Sequence, residues 1–375
     1  MGILLLEGFF LDVIAQQVPI SPIGSYTIGT RGRNEHPAWG VATAPDRFIL
    51  GLISLPPGGG SDIASAVIQF DIHSGDTVEV LLPPRPFGAG RRWLQCLRQD
   101  RAGTGMWSAI GEYDMGGGGR DSVFIGIPGT PITRIAARGE VSALDVNRAI
   151  AVAYWNLKQV ELFTPRGHSL KRVSLPDHPS DIVYDGEGKI YVGTLGPGMR
   201  LLEVDTATAQ VAILDFLPQS TRPFMDFRNH RLVFNTSTNA LHPEEPSALL
   251  TQLWAVDSTG AAVHQWTTIE GFGGPDLNRL VRSGPAAILP DGNIAVSYGR
   301  TDFSKTPAVT AAGLRIYDRN GHPLFAWESS TAPPVHTLPF GLNVTPDGKQ
   351  LILITKQSGV AGAQWSDVVV YLFDL

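Results

Sequence analysis

Apolar and polar positions along this chain fall into groups of strand-length runs, and each group closes on a turn that often carries an aspartate. The clearest closings are Phe70-Asp71-Ile72-His73-Ser74-Gly75, Val204-Asp205-Thr206, Val256-Asp257-Ser258-Thr259-Gly260 and Tyr317-Asp318-Arg319-Asn320-Gly321, with Phe373-Asp374-Leu375 at the end of the chain. The second run of a group is nearly all apolar, as in Ile150-Ala151-Val152-Ala153, Leu232-Val233-Phe234 and Leu351-Ile352-Leu353-Ile354. A strand with one wet face alternates, so unbroken runs predict strands covered on both faces. Asp185-Gly186, Asp291-Gly292 and Asp347-Gly348 separate first runs from second runs. Asp-Gly between apolar runs is the strongest short hairpin signal.

Matching turns fall near residues 46, 103, 147, 186, 229, 291 and 347. Their mean spacing is close to the roughly 40–50 residues of a propeller blade. No convincing long helix is available to cover the buried strands, so neighbouring sheets must cover one another. An all-β propeller satisfies this. Seven blades are preferred; merging the second unit (Trp93 to Arg138) with the third (Val141 to Leu175) would leave six. The last unit stops after its third strand, Val368 to Phe373, while Ser25 to Thr30 forms a strand with no blade of its own. The N-terminal strand is therefore expected to pair with the last blade and close the ring, which removes an exposed edge. Residues 1–24 form an N-terminal segment and residues 25–375 a single propeller domain.

Composition agrees with many short strands. Hydrophobic residues make up 43% and charged residues 17%, with 42 glycines and 28 prolines, a turn-rich balance. The net charge of −6 lacks the basic excess of a nucleic-acid surface. Cys96 is the one cysteine and, in an apolar setting, reads as a buried inert thiol. Ile3-Leu4-Leu5-Leu6 is interrupted by Glu7 and Asp12 and preceded by no Lys or Arg, which makes a poor signal peptide. Glu7 to Gln17 reads as a short amphipathic packing helix. No run approaches the ~20 apolar residues of a membrane span. A soluble monomer is the expectation; the compartment stays open, with the cytoplasm slightly favoured.

Leu202-Glu203-Val204-Asp205-Thr206-Ala207-Thr208-Ala209-Gln210-Val211 resembles an element of YVTN-type propeller repeats. Pro339-Phe340-Gly341-Leu342-Asn343-Val344-Thr345-Pro346-Asp347-Gly348-Lys349 is similar to a second such element. Seven-bladed lactonase-like proteins share this vocabulary, as do NHL and gluconolactonase-type propellers. The motifs are turn and core signatures, so the resemblance implies a fold more than an activity.

In propellers of this kind, the segment before each innermost strand lines one mouth of the central channel. Prolines 37, 179, 223, 285 and 339 stand there, beside a set of polar residues. His36 and His336 are candidates for a general base. Glu35, Trp39, His178, Asp181, Arg222, Asp226 and Arg282 are candidates for ligand binding. No cofactor is required, but Glu35, Asp181 and Asp226 offer carboxylates to a divalent metal such as calcium or manganese. Gluconolactonase-type propellers hold a metal through a Glu before the first inner strand and through Asn or Asp at later ones. Glu35 matches the first place, while Trp39 and Phe340 stand where Asn or Asp is required and Asp181 is displaced. The catalytic pattern is incomplete. The first reading is thus a binding propeller for a small polar molecule or a protein partner. The alternative is a lactonase-like hydrolase or lyase acting on a small, sugar-like substrate. The Asp-ended turns have a separate explanation: Asp71, Asp205, Asp257 and Asp318 can accept their own turn's N–H groups.

Overall fold

The computed structural model describes residues 18–28, 34–55, 64–84, 92–101, 103–113, 121–195, 199–217, 224–237, 248–256, 262–271, 279–302, 304, 309–329, 336–358 and 367–375. Every regular element among them is a strand. Two strands lead, β1 (Val18–Pro19) and β2 (Gly24–Ile28). The first sheet is β3 (Asn34–Ala44), β4 (Arg47–Leu55), β5 (Ala64–Asp71) and β6 (Thr77–Leu82). The second is β7 (Arg92–Gln99), β8 (Trp107–Tyr113), β9 (Ser122–Gly126) and β10 (Thr133–Ala136). The third is β11 (Val141–Asn147), β12 (Ala149–Tyr154), β13 (Gln159–Phe163) and β14 (Ser169–Ser174). The fourth is β15 (His178–Tyr184), β16 (Lys189–Leu195), β17 (Met199–Asp205) and β18 (Val211–Leu217). The fifth is β19 (Phe224–Arg228), β20 (Arg231–Ser237), β21 (Ala248–Val256) and β22 (Ala262–Gly271).

The remaining strands join into a sixth, nine-stranded sheet. One part is the antiparallel set β23 (Arg279–Ile288), β24 (Ile294–Asp302), β25 (Val309–Tyr317) and β26 (Pro323–Glu328). The other is β27 (His336–Val344), β28 (Gln350–Ser358) and β29 (Asp367–Asp374), with β2 as its fourth strand. A single parallel bridge, Thr310 to His336, links the two sets. β1 adds along the outer edge of β26. Hydrogen bonding thus resolves six sheets in a propeller, where the sequence favours seven units and admits six. The N-terminal strand meets the last unit as expected, Gly24 facing Leu372 and Ile28 facing Val368. The helix read over Glu7 to Gln17 lies outside the described residues.

A β-bulge recurs on six innermost strands, four of which carry a proline at or beside it. The register slips between Ala38 and Gly40, Leu94 and Cys96, Val141 and Ala143, Pro179 and Asp181, Ser283 and Ala286, and Pro339 and Gly341. Proline has no N–H for a ladder and is tolerated at a bulge, which also bends and re-aims the strand. At the other end of these strands the Asp-Gly turns need a positive φ. Gly186, Gly292 and Gly348 supply it at 86°, 86° and 74°, which glycine adopts without a steric penalty.

The core is layered between sheets. Among the described residues, seven apolar clusters each span two consecutive four-stranded sets. In the third and fourth sheets Ala151, Ala153 and Val160 meet Ile182, Ile190 and Val192. The last set meets the first as well: Ile352, Ile354, Val368 and Val370 pack with Phe48, Leu50 and Phe70, and β27 lies beside β3. The second strands are covered on both faces, as their unbroken apolar runs predict, and β12 is buried throughout. Cys96 is buried. No helix among the described residues is long and apolar enough to cross a membrane.

Ile28 sits in the cluster shared by the last and first sets. Its replacement by alanine should lower stability by about 2–4 kcal/mol, the usual cost of a buried Ile→Ala cavity. Chemical unfolding measures this. A loss no larger than that of an exposed site such as Ile23→Ala would mean that the N-terminal strand does not hold the two sets together.

Candidate binding site in the central channel

Charged side chains stand on inner strands that are otherwise apolar. Asp145 interrupts Val141-Ser142-Ala143-Leu144-Asp145-Val146 on β11 and is fully buried. Asp181 on β15 is 2% exposed, and Asp226 lies on β19. Each carboxylate accepts a backbone N–H from the next inner strand. Asp145 Oδ2 takes Tyr184 N at 2.7 Å, Asp181 Oδ2 takes Met225 N at 3.0 Å and Asp226 Oδ2 takes Ile288 N at 2.8 Å. One sheet earlier, Asp100 Oδ1 takes Arg148 N at 2.8 Å and Asp121 takes Val141 N.

Two arginines from the second sheet reach across to these carboxylates. Arg98 Nη2 lies 3.4 Å from Asp181 Oδ1. Arg101 bridges two sheets, with Nη1 2.7 Å from Asp145 Oδ2 and Nη2 3.1 Å from Asp226 Oδ1. Arg101 also approaches the Tyr184 carbonyl, to which Asn147 Nδ2 donates at 3.2 Å. Burial pushes the Asp145 carboxyl above the usual carboxylate range; Arg101, the Tyr184 N–H and Arg98 oppose that shift.

Beside this network lies a cavity of about 580 Å³, within the size range of small-molecule sites. Its wall comes from the ends of inner strands and the turns that follow: Arg98 to Arg101, Asp145 to Arg148, Phe224 to Asn229, Pro285 to Ile288 and Gly341 to Pro346, with Asp185 and Glu187 at the fourth sheet. This is the opposite end of the inner strands from the mouth that the sequence pointed to.

Of the residues singled out in the sequence, Asp226 lines the cavity. Asp181 does not line it, but braces Arg98, which does. His178 stands at the start of β15, its ring stacked on Trp155 at 4.8 Å and its Nδ1 2.9 Å from the Trp155 carbonyl. Arg282 is exposed on β23. Glu35, His36 and Trp39 lie on β3 and His336 on β27, two neighbouring strands. The side chains of these four, and Arg222 altogether, lie outside the described residues. Arg98, Arg101, Asp145, Arg148 and Arg228 were not singled out. The available signal was a charge inside an apolar run, at Asp145 and in Leu97-Arg98.

Asp181 and Asp226 are the two metal-candidate carboxylates whose side chains are among the described residues. Both oxygens of each carboxylate are engaged by a guanidinium and a backbone N–H. Among the described residues no group of three or more His, Cys, Asp or Glu side chains is arranged to hold a metal ion. The turn aspartates behave as the sequence suggests. Asp71 Oδ1 accepts the N–H groups of His73 and Ser74, Asp205 that of Thr208, and Asp318 those of Asn320 and His322; Asp257 lies outside the described residues.

No family model matches the chain, and no curated protein matches it. Solved structures do. The chain is similar to U3-55K at 12% identity and a TM-score of 0.57, covering 94% of this chain and 100% of that one. It is similar to the WD40 repeats of RRP9 at 13% identity and a TM-score of 0.58, covering 95% and 99%. It also resembles the β-propeller domain of Myceliophteria thermophila Cps50 (Swd1) at 15% identity and a TM-score of 0.54, covering 93% and 99%. At these identities the structural likeness shows the propeller fold alone. Those neighbours are not of the YVTN, NHL or lactonase type.

Two outcomes follow. Asp226→Ala orphans both the Ile288 N–H and one side of the partly buried Arg101, and should cost about 1–3 kcal/mol, the penalty of unsatisfied donors; Asp226→Asn, which keeps an acceptor, should cost less. Equal losses in chemical unfolding would show that the N–H contact contributes nothing. The second outcome concerns acid. The N–H groups of Ser74 and His73 hold the Asp71 carboxyl below its ordinary 3.8, and that of Thr208 does the same for Asp205. A lowered folded value gives stability that is present above the ordinary value and lost as pH falls through the folded one. The double variant Asp71→Asn, Asp205→Asn should therefore show a shallower fall in Tm below pH 3.8 than the wild type; an unchanged slope would rule these turns out.

Proposed function

We propose that this chain is a non-catalytic binding propeller whose ligand or partner site is the cavity at the turn end of its channel. One observation carries the reading. The carboxylates and guanidiniums that meet in the channel hold neighbouring inner strands together, and so none of them stands ready as a general acid or base. Asp145, Asp181 and Asp226 are each bound to a backbone N–H and an arginine. A general base needs an open path to a substrate proton at hydrogen-bond distance. His178, held against Trp155, has its Nδ1 engaged as well. What remains at the cavity is a polar wall of fixed shape, suited to recognition.

The same reading takes the nine-stranded sheet as two blades and the whole as a ring of seven, closed by β2. It is supported by the single residue pair that joins the two sets and by the apolar cluster shared between the last set and the first. The likeness to the WD40 repeats of RRP9 and to two other propellers is consistent with a binding role.

The competing activity is hydrolysis of a sugar-like lactone. It is tested by assaying the purified protein on a panel of sugar lactones with added calcium or manganese, alongside His36→Ala and His336→Ala. The expected result is no turnover above that of the variants. Hydrolysis that either substitution abolishes would overturn the binding reading and restore His36 or His336 as the base.

A further inference from the structure

Two arginines face each other across the first turn of the fifth sheet. Arg228 ends β19, Arg231 opens β20, and the two are directly paired. Like charges opposite one another on paired strands repel and are destabilising. The turn between them adds a second cost. Asn229 and His230 stand at φ 49° and 57°, as a type I′ turn requires, and histidine fills a place that favours glycine.

Both arginines lie on the face of the fifth sheet that meets the sixth. From that face Asp226 reaches Ile288 N, Asn235 reaches the Gly284 carbonyl and Val233 packs with Val281 and Val296. Arg228 and Arg231 share that face by the two-residue period of a strand. Arg231 Nη1 donates to the Arg319 carbonyl at 3.0 Å, so the turn that carries Arg319 lies beside the pair. Arg228 and Arg231 are half-buried and Arg319 is exposed.

No carboxylate balances these cations. Arg47, Arg98, Arg101, Arg172, Arg200 and Arg300 each reach one. Among the described residues Arg228, Arg231 and Arg319 reach none. The carboxylates on the neighbouring strands and turns are already engaged. Asp226 holds Ile288 N and Arg101, Asp291 holds Asn293, and Asp318 holds Asn320 and His322. Arg228 lines the cavity, while Arg231 and Arg319 stand outside its wall. An occupant that meets all three therefore reaches out of the cavity and over the propeller face, as an extended chain does. The net charge of −6, with Asp185 and Glu187 across the cavity on the fourth sheet, confines the positive surface to this corner, whereas a nucleic acid needs a broad one.

We propose that this corner of the propeller face binds an acidic segment of a partner protein, whose side-chain carboxylates are taken by Arg228 and Arg231, with Arg319 at the outer end. A guanidinium matches a carboxylate in shape as well as in charge. This rests on the reading of the chain as a binding propeller and names the partner's chemistry.

Calorimetric titration of the full chain with a short capped glutamate-rich peptide tests it, beside the glutamine counterpart of that peptide, inorganic phosphate and a short single-stranded RNA. The glutamate peptide should bind, more weakly as salt rises, and the other three should not. Arg228→Gln and Arg231→Gln should each weaken it by about tenfold. Neither should lower the Tm of the unliganded chain, because each removes a like-charge opposition. Arg166→Gln, on an exposed turn position of the third sheet, makes the same change in net charge and should leave the affinity within about twofold. Should Arg228→Gln or Arg231→Gln fail to fold, Arg319→Gln on its exposed turn carries the test, with a loss of about two- to fivefold. Unchanged peptide binding in the folded variants would overturn the proposal, and a lowered Tm beside it would make the pair structural. An equal loss in Arg166→Gln would overturn it as well, by reducing the effect to net charge. Phosphate, RNA or the glutamine peptide binding as tightly as the glutamate peptide would do so in favour of its own ligand class. No binding of any probe would remove this site and leave the binding propeller standing, since failure of that reading is recognised separately, by lactone turnover.

Discussion

Every inner strand of a propeller is an edge strand. One side pairs with the second strand of its own sheet, and the other presents N–H and C=O groups toward the axis with no ladder to join. Such groups, if buried, must find partners elsewhere. Here a carboxylate on one inner strand takes an N–H of the next: Asp145 that of Tyr184, Asp181 that of Met225, Asp226 that of Ile288. Apolar clusters press the sheets together but are not directional. The carboxylate-to-N–H contact is directional, and it sets how far one inner strand is rotated and shifted against its neighbour.

That arrangement has an electrostatic consequence. Carboxylates placed to accept N–H groups bring negative charge to the axis, where burial penalises it. Arg98 and Arg101 answer from the second sheet, and Arg101 does so for two sheets at once. Their position also shapes the open space. The arginines cross toward the third, fourth and fifth sheets, and the cavity extends along the wall formed by the fifth and sixth sheets and by Gly341 to Pro346 of the last strand set. Structural bonds and the candidate site are thus built from the same groups, and a change to one alters the other.

Much of the architecture was legible in the chain. Unbroken runs such as Leu351 to Ile354 predict strands covered on both faces, and Leu351, Ile352, Leu353 and Ile354 have no exposed surface. The orphan strand before the first unit finds the incomplete last unit. Asp71, Asp205 and Asp318 hold their turns because the interaction is local and lies within a few residues of sequence. The channel was less legible, since Arg101 and Asp145 are 44 residues apart and Arg98 and Asp181 are 83 apart. No local pattern encodes such a pair. Proline at the strand starts drew attention to the opposite end of the channel from the cavity, and Pro179, Pro285 and Pro339 stand at bulges there. The two-residue β1 carries no strand signal of its own; it forms only because β26 offers an edge.

The irregular units now have a physical explanation. The fourth, sixth and seventh units keep the repeat most closely and end their inner strands in Asp-Gly turns. The second, third and fifth depart from it, and they supply Arg98, Arg101, Asp145 and Asp226. The first turns of the third and fifth depart too: Arg148 stands at φ 59°, and Asn229 and His230 at 49° and 57°, where the regular units use glycine. Non-glycine residues in this region carry a steric cost. At the cavity wall that cost places Arg148 and Asn229, side chains that glycine lacks, beside the open space. Local preference yields where a side chain is required. In a propeller of similar modules, the modules that break the pattern thus supply most of the charges, with Asp181 of the fourth unit, that distinguish this channel from a generic propeller core.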